Sequence, residues 1–111
     1  MEFRKGILFV RLIGKLTKNT VSVLEKEVTD VVKAYGIGNV VLNVSELTEL
    51  DQAGIEALIT NYHVTSTYHG KLVVCGLDDG IEIKKELKKS HILDYLFETS
   101  DELSALHYIE R

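Results

Sequence analysis

Three short apolar runs, separated by segments of helical period, limit how this chain can fold more than any other feature. Residues 7–13, residues 40–44 and Leu72–Cys75 are dense in β-branched and aliphatic side chains. Continuous runs of that kind suit strands covered on both faces. Between the first two, Val21, Leu24, Val28, Val31 and Tyr35 recur at steps of three and four, which predicts one apolar helix face. Asn19 or Thr20 is placed to cap its start, and Gly36 and Gly38 its stop. Between the second and third runs, Ile55, Leu58, Ile59 and Tyr62 predict a second helix. Gly70 closes that region, and the β-branched residues from Val64 to Thr67 are expected to fray. A polar loop is expected over residues 45–51.

Residues 83–89 read as a charged helix, 92–97 as a short apolar turn and 97–99 as an edge strand. Ser100, Asp101 and Glu102 open a last helix, with acids where the helix dipole favours them; His107 and Arg111 lie near its end. Residues 1–5 can fold back on the first strand across Lys5 and Gly6. Strands alternating with helices predict a mostly parallel sheet, and the hairpin makes it mixed. The expected class is α/β, a single domain over residues 1–111 with a four- to five-stranded, mixed, mostly parallel sheet and interleaved helices.

Charge and composition narrow the function. The 111 residues are 45% hydrophobic and 27% charged, with a formal net charge of -4. A nucleic-acid interface needs a basic stripe, and none is present. No apolar run approaches the roughly 20 residues that span a bilayer, and the amino terminus lacks the pattern of a secretory signal. The cytoplasm is the expected location, without membrane insertion. The single cysteine, Cys75, ends an apolar run and reads as a small core residue. His63, His69, His91 and His107 show no ligand spacing, so no metal or other cofactor is expected. Residues 76–80 contain paired aspartates, Asp78 and Asp79, which read as a loop. The lysines between residues 84 and 89 read as a solvated helix face. No pair of titratable groups has a spacing that suggests catalysis, and the chain is expected not to be an enzyme.

In α/β sheets, partners meet loops at the carboxyl ends of strands. The informative loop here is Ser45-Glu-Leu-Thr-Glu-Leu-Asp-Gln-Ala-Gly54, which enters a helix through Asp51. Asp51 suits a cap, accepting backbone amides, and Gly54 permits close approach by another backbone. Asp51 reads either as a cap alone or as a cap that also shapes a partner surface. Gln52 and Glu56 are expected to be exposed.

This loop, with Val10-Arg-Leu-Ile-Gly-Lys-Leu16 before it and Gly70-Lys-Leu-Val-Val-Cys-Gly76 after it, resembles the STAS family, and within it the bacterial anti-sigma factor antagonists. The resemblance implies a regulatory module that binds a protein partner, an anti-sigma factor kinase. The implied contact residues are Asp51, Gln52, Ala53, Gly54, Glu56 and Thr17. In such antagonists the serine after the loop aspartate is phosphorylated by the kinase. Gln52 stands at that position and Ala53 follows it, so neither accepts phosphate. Thr48 and Ser45 are the neighbouring hydroxyls, neither at the family position. Thr17 stands where many relatives have aspartate. The alternative implied by the resemblance is a non-phosphorylated STAS scaffold, or a subunit of a stressosome-like or lipid-transport ATPase complex.

Overall fold

The computed structural model describes residues 2–4, 6–77 and 81–110. Strand β1 (Glu2–Arg4) pairs antiparallel with β2 (Ile7–Leu16). Helix α1 follows in three contiguous segments, Val21–Leu24, a π-helical turn over Glu25–Thr29, and Asp30–Tyr35. Then come β3 (Asn39–Leu50), α2 (Gln52–Thr67), β4 (Leu72–Cys75), α3 (Ile81–Lys89), a 3-10 turn (Ile92–Asp94), β5 (Phe97–Thr99) and α4 (Glu102–Glu110). The five strands lie in sequence order, and every neighbouring pair after β1–β2 is parallel.

Sequential order follows from crossovers of one hand, each advancing the chain by one strand. It puts α1, α2 and α3 on one face of the sheet. Strand residues alternate accordingly. Leu8, Val10, Val40, Leu42, Leu72 and Val74 pack against Leu24, Val28 and Val32 of α1, Leu58 of α2, and Ile83 and Leu87 of α3. Ile7, Phe9, Val41, Val73 and Cys75 face the other way, against Ala105 of α4. Val41, Val73 and Cys75 are fully buried, as expected for strands covered on both sides. Burial pushes the Cys75 thiol up to about 12, with the nearby Glu102 carboxylate adding to the shift. A neutral, inert core residue is the result.

A polar clasp holds α4 on its face. Arg11 donates through Nε and one terminal nitrogen to the two Glu102 oxygens, at 2.9 and 3.0 Å. The Asn43 amide donates to Glu102 Oε2 at 2.9 Å. Arg11 above all, and then Asn43, hold the Glu102 carboxyl below its usual range against a partial desolvation that raises it. The bidentate geometry fixes the first turn of α4 over β2 and β3.

Several expectations are corrected. The polar loop expected over residues 45–51 is strand, because β3 continues to Leu50. Leu47 and Leu50 are buried, while Glu46, Thr48 and Glu49 are exposed. The pairing slips between Arg11 and Ile13 and again between Gly14 and Lys15, so β3 carries extra residues there. Such bulges break the period of two that marks a strand in a sequence. Helix α2 continues through Thr67, so the β-branched stretch is helical. There, Thr65 and Thr67 hydroxyls donate back to the carbonyls of Tyr62 and His63. Tyr35 is 79% exposed and not on the apolar face. The extra residue of the π turn rotates the helix so that Val32 lies innermost, fully buried, and Val31 only partly so. Thr20 does not cap α1 with its side chain. Its hydroxyl accepts from the Thr17 amide and donates to the Lys15 carbonyl, both at 2.9 Å. The readings placed on Lys5, Asp78, Asp79 and Arg111 lie outside the described residues.

The π turn also aims Thr29 inward, where its hydroxyl donates to Asn61 Oδ1 of α2 at 2.9 Å. The Asn61 amide in turn donates to the Ala57 carbonyl at 2.9 Å, so the buried pair is satisfied.

Glycine is required where two loops cross at the amino-terminal ends of β3 and β4. A Cβ on Gly70 would run into the Gly38 backbone. Gly70→Ala is expected to lower stability by about 1–3 kcal/mol, the usual cost of overpacking, visible as a lower urea midpoint. Gly6→Ala meets nothing within 4 Å and introduces only the strain of its φ of +79°. The smaller loss at Gly6 is the matching control.

Candidate functional site

The site forms where β2 and β3 run together past the end of β4. Leu16 and Leu50 are paired at the end of this ladder. The chain then turns through Asp51, whose own amide donates to the Leu16 carbonyl at 3.3 Å. Asp51 is extended, with φ -111° and ψ -176°, and caps α2. Its Oδ1 accepts from the Gly54 amide at 2.9 Å. Its Oδ2 accepts from the Lys18 amide at 2.9 Å, in the turn between β2 and α1.

One carboxylate thus ties two helix entries together. A side chain at residue 54 would strike the Leu16 carbonyl, and lie 2.8 Å from the Leu50 side chain. Gly54 is therefore required for packing, as close approach by another backbone anticipates. The Lys18 and Gly54 amides hold the Asp51 carboxyl below its usual range. Hydrogen bonds to the charged form, with the helix dipole behind them, account for the direction.

The sequence-expected residues do not all play one part. Gln52 opens the helix proper and is exposed, as is Glu56 one turn on. Ala53 is half-buried and, with Glu56, borders a groove of about 390 Å³ between α1 and α2. Gly54 is buried. Thr17 is only 9% exposed, and its carbonyl accepts from the amides of Thr20 and Val21, both at 2.9 Å. Thr17 thus lies beneath the surface that Lys18 and Asp51 form. Thr48 is exposed and donates to the Gly14 carbonyl at 3.0 Å; the Ser45 amide donates to Asn43 Oδ1 at 3.0 Å. Both belong to the bulged part of β3, upstream of the helix entry.

Two participants were not anticipated. Lys18 contributes its backbone amide, which no side-chain pattern announces. Arg11, Asn43 and Glu102 form the clasp described above. An arginine inside an apolar run was the one visible hint of it.

Comparison with known proteins decides the family. A STAS domain model matches residues 1–105. The chain belongs to the STAS family. Over 78 residues this STAS domain is 24% identical to an anti-sigma F factor antagonist of Paenibacillus polymyxa, an alignment covering 70% of this chain and 67% of that protein. Its fold overlays that of a candidate anti-sigma factor antagonist of Thermotoga maritima with a TM-score of 0.90. That match is 12% identical and covers 99% of this chain and 92% of the other. The anti-sigma factor antagonist SpoIIAA in its unphosphorylated form overlays with a TM-score of 0.78, also at 12% identity, over 99% and 94% of the two chains. These overlays establish an antagonist-like STAS fold. No helix among the described residues is long and apolar enough to cross a membrane.

The Asp51 geometry predicts a pH signature. A carboxyl whose folded pKa lies below its unfolded value, about 3.9, stabilises the fold above that value and loses the contribution as pH falls through the folded pKa. Asp51→Asn removes the charge and offers an amide NH2 or a single carbonyl to two donors. The variant's melting temperature is expected to fall below the parent's at pH 5–7, with the gap narrowing as the pH falls below about 4. Calorimetric melts from neutral pH down into that acid range make the comparison. A gap that does not narrow on acidification contradicts the assigned role of the carboxylate.

Proposed function

We propose that this chain is an antagonist-type regulatory binding module whose residues 1–111 act as one domain. Its partner is an anti-sigma factor of the kinase type, and its place is the cytoplasm. The contact surface is built from the α2 entry, with Gln52 and Glu56 exposed on it, and from the Lys18 turn that Asp51 ties to it. Ala53 supplies a small, close-fitting position, and Gly54 and Thr17 hold the surface from beneath. The observation that supports the reading is the coupling of two helix entries by one carboxylate, on a fold that overlays antagonists.

Gln52 sets the mode of action. Its amide carries no hydroxyl and stays neutral at any physiological pH. Phosphorylation at this position would add about 1.5–2 negative charges. With glutamine there, the binding surface keeps the neutral state, and the module acts by occupancy of the partner instead of by a covalent switch. It performs no chemistry and uses no metal or other cofactor. The same glutamine favours one other reading, a STAS scaffold or a subunit of a stressosome-like or lipid-transport ATPase complex. There, permanent binding is the useful property.

The two readings separate by what the tagged protein retains from its native host, an anti-sigma kinase or an ATPase, permease or STAS assembly. With the kinase in hand, calorimetric titration tests the mode. Gln52→Asp places a negative charge where the family places phosphate. It is expected to weaken binding at least tenfold, while Gln52→Ala changes it less than threefold. An acid at the first turn favours the helix, so a loss of binding by Gln52→Asp does not reflect unfolding. Equal affinities for Gln52→Asp and the parent contradict the placement of the interface.

A further inference from the structure

Away from the helix entry, the distal half of α2 borders a cavity that none of these roles uses. Helix positions Ile59, Tyr62, His63 and Ser66 fall on one face of α2, at steps of three and four. Ile92 and Tyr95, from the turn after α3, form the opposite wall. The space between them is a half-open groove of about 570 Å³, within the size range of small-molecule sites.

Its chemistry differs from that of the other grooves. The groove between β2 and α1 is lined by Arg11, Lys15 and Glu27, and the one between α1 and α2 by Glu25, Lys33 and Glu56. The distal cavity has no acid, lysine or arginine in its lining. Its walls are aromatic instead. The rings of Tyr62 and Tyr95 lie 6.0 Å apart at 53°, and Tyr62 meets His63 at 5.4 Å and 64°. Tyr95 is 62% exposed, so a ring face remains open to a guest. Among the described residues, no hydrogen bond engages the Tyr62 or Tyr95 hydroxyl, the His63 ring or the Ser66 hydroxyl. Apolar walls with a few convergent polar groups are the usual makeup of a ligand site.

We infer that the cavity between distal α2 and the Ile92–Asp94 turn binds a planar aromatic small molecule, neutral or anionic, that bears hydrogen-bonding substituents. Offset stacking on Tyr95 and Tyr62 supplies the orientation, since aromatic pairs favour tilted and displaced geometries. His63 and Ser66 supply donors and acceptors at the rim. A cationic guest would find no counter-charge in the lining. This site stands apart from the partner surface, and neither depends on the other.

The test uses indole as a planar aromatic probe and cyclohexanol as an aliphatic one of comparable size, followed by amide chemical shifts. Indole is expected to shift amides of residues 59–66 and 90–95 saturably. Ser66→Trp, which fills the cavity from an exposed position, is expected to weaken indole binding at least tenfold with the spectrum otherwise native. Tyr95→Ala, also at an exposed position, is expected to weaken it as well. Three results each overturn the inference: shifts elsewhere or none, indole binding unchanged in both variants, or cyclohexanol binding as tightly as indole. Absence of indole binding with shifts at these same amides on adding the protein partner assigns the cavity to a protein side chain, and equally overturns it.

Discussion

The parallel pairing of β2 with β3 is the constraint on which the rest of this molecule depends. It runs from Ile7 with Asn39 to Leu16 with Leu50, well beyond the four pairs that join β3 to β4. At its near end the strands are buried on both faces, and the three crossover helices and α4 have a surface to cover. At its far end it delivers the Leu16 carbonyl to the start of α2. There it bonds Asp51 and excludes any side chain at residue 54. The bulges in β3 belong to the same design. They let buried Leu47 and Leu50 follow buried Val44 at three-residue steps while Glu46, Thr48 and Glu49 stay in water.

Asp51 converts that ladder into a surface. A cap ordinarily satisfies amides of its own helix. Here the second oxygen reaches the Lys18 amide, so the α2 entry cannot move without the turn before α1. Because both oxygens are held by backbone donors, whatever residues stand at 18 and 52 are presented at a fixed separation. Pre-ordering of this kind lowers the entropy lost on association. Gln52 is presented on that surface, not packed.

Much of the fold was legible because its signals are local and redundant. Dense apolar runs announced β2, the first half of β3, and β4, and helical period announced α1 and α2. What was missed lies where geometry departs from period. The bulges hid the second half of β3, since polar residues at irregular steps look like a loop. The π turn in α1 put Val32 at the core in place of Val31 and left Tyr35 in solvent. At the site, Asp51 as a cap and Gly54 as a point of close approach were readable from residue type. The Lys18 amide was not, because a backbone donor leaves no trace in a sequence. Thr17 was readable by position in the family pattern, but its burial depends on a turn that only the fold defines. The clasp of Arg11, Asn43 and Glu102 joins residues as far as 91 positions apart, and Arg11 inside the first apolar run was its one local trace.

The central claim is that the surface tied together by Asp51 is where the partner docks. Hydrogen exchange of the complex, formed with the protein partner recovered from the native host, tests it most directly. The account predicts slowed exchange in peptides spanning residues 16–21 and 51–58, with residues 90–97 and α4 unchanged. Protection confined to α4, to the β1 edge or to the distal half of α2, with the helix entry unaffected, would contradict it.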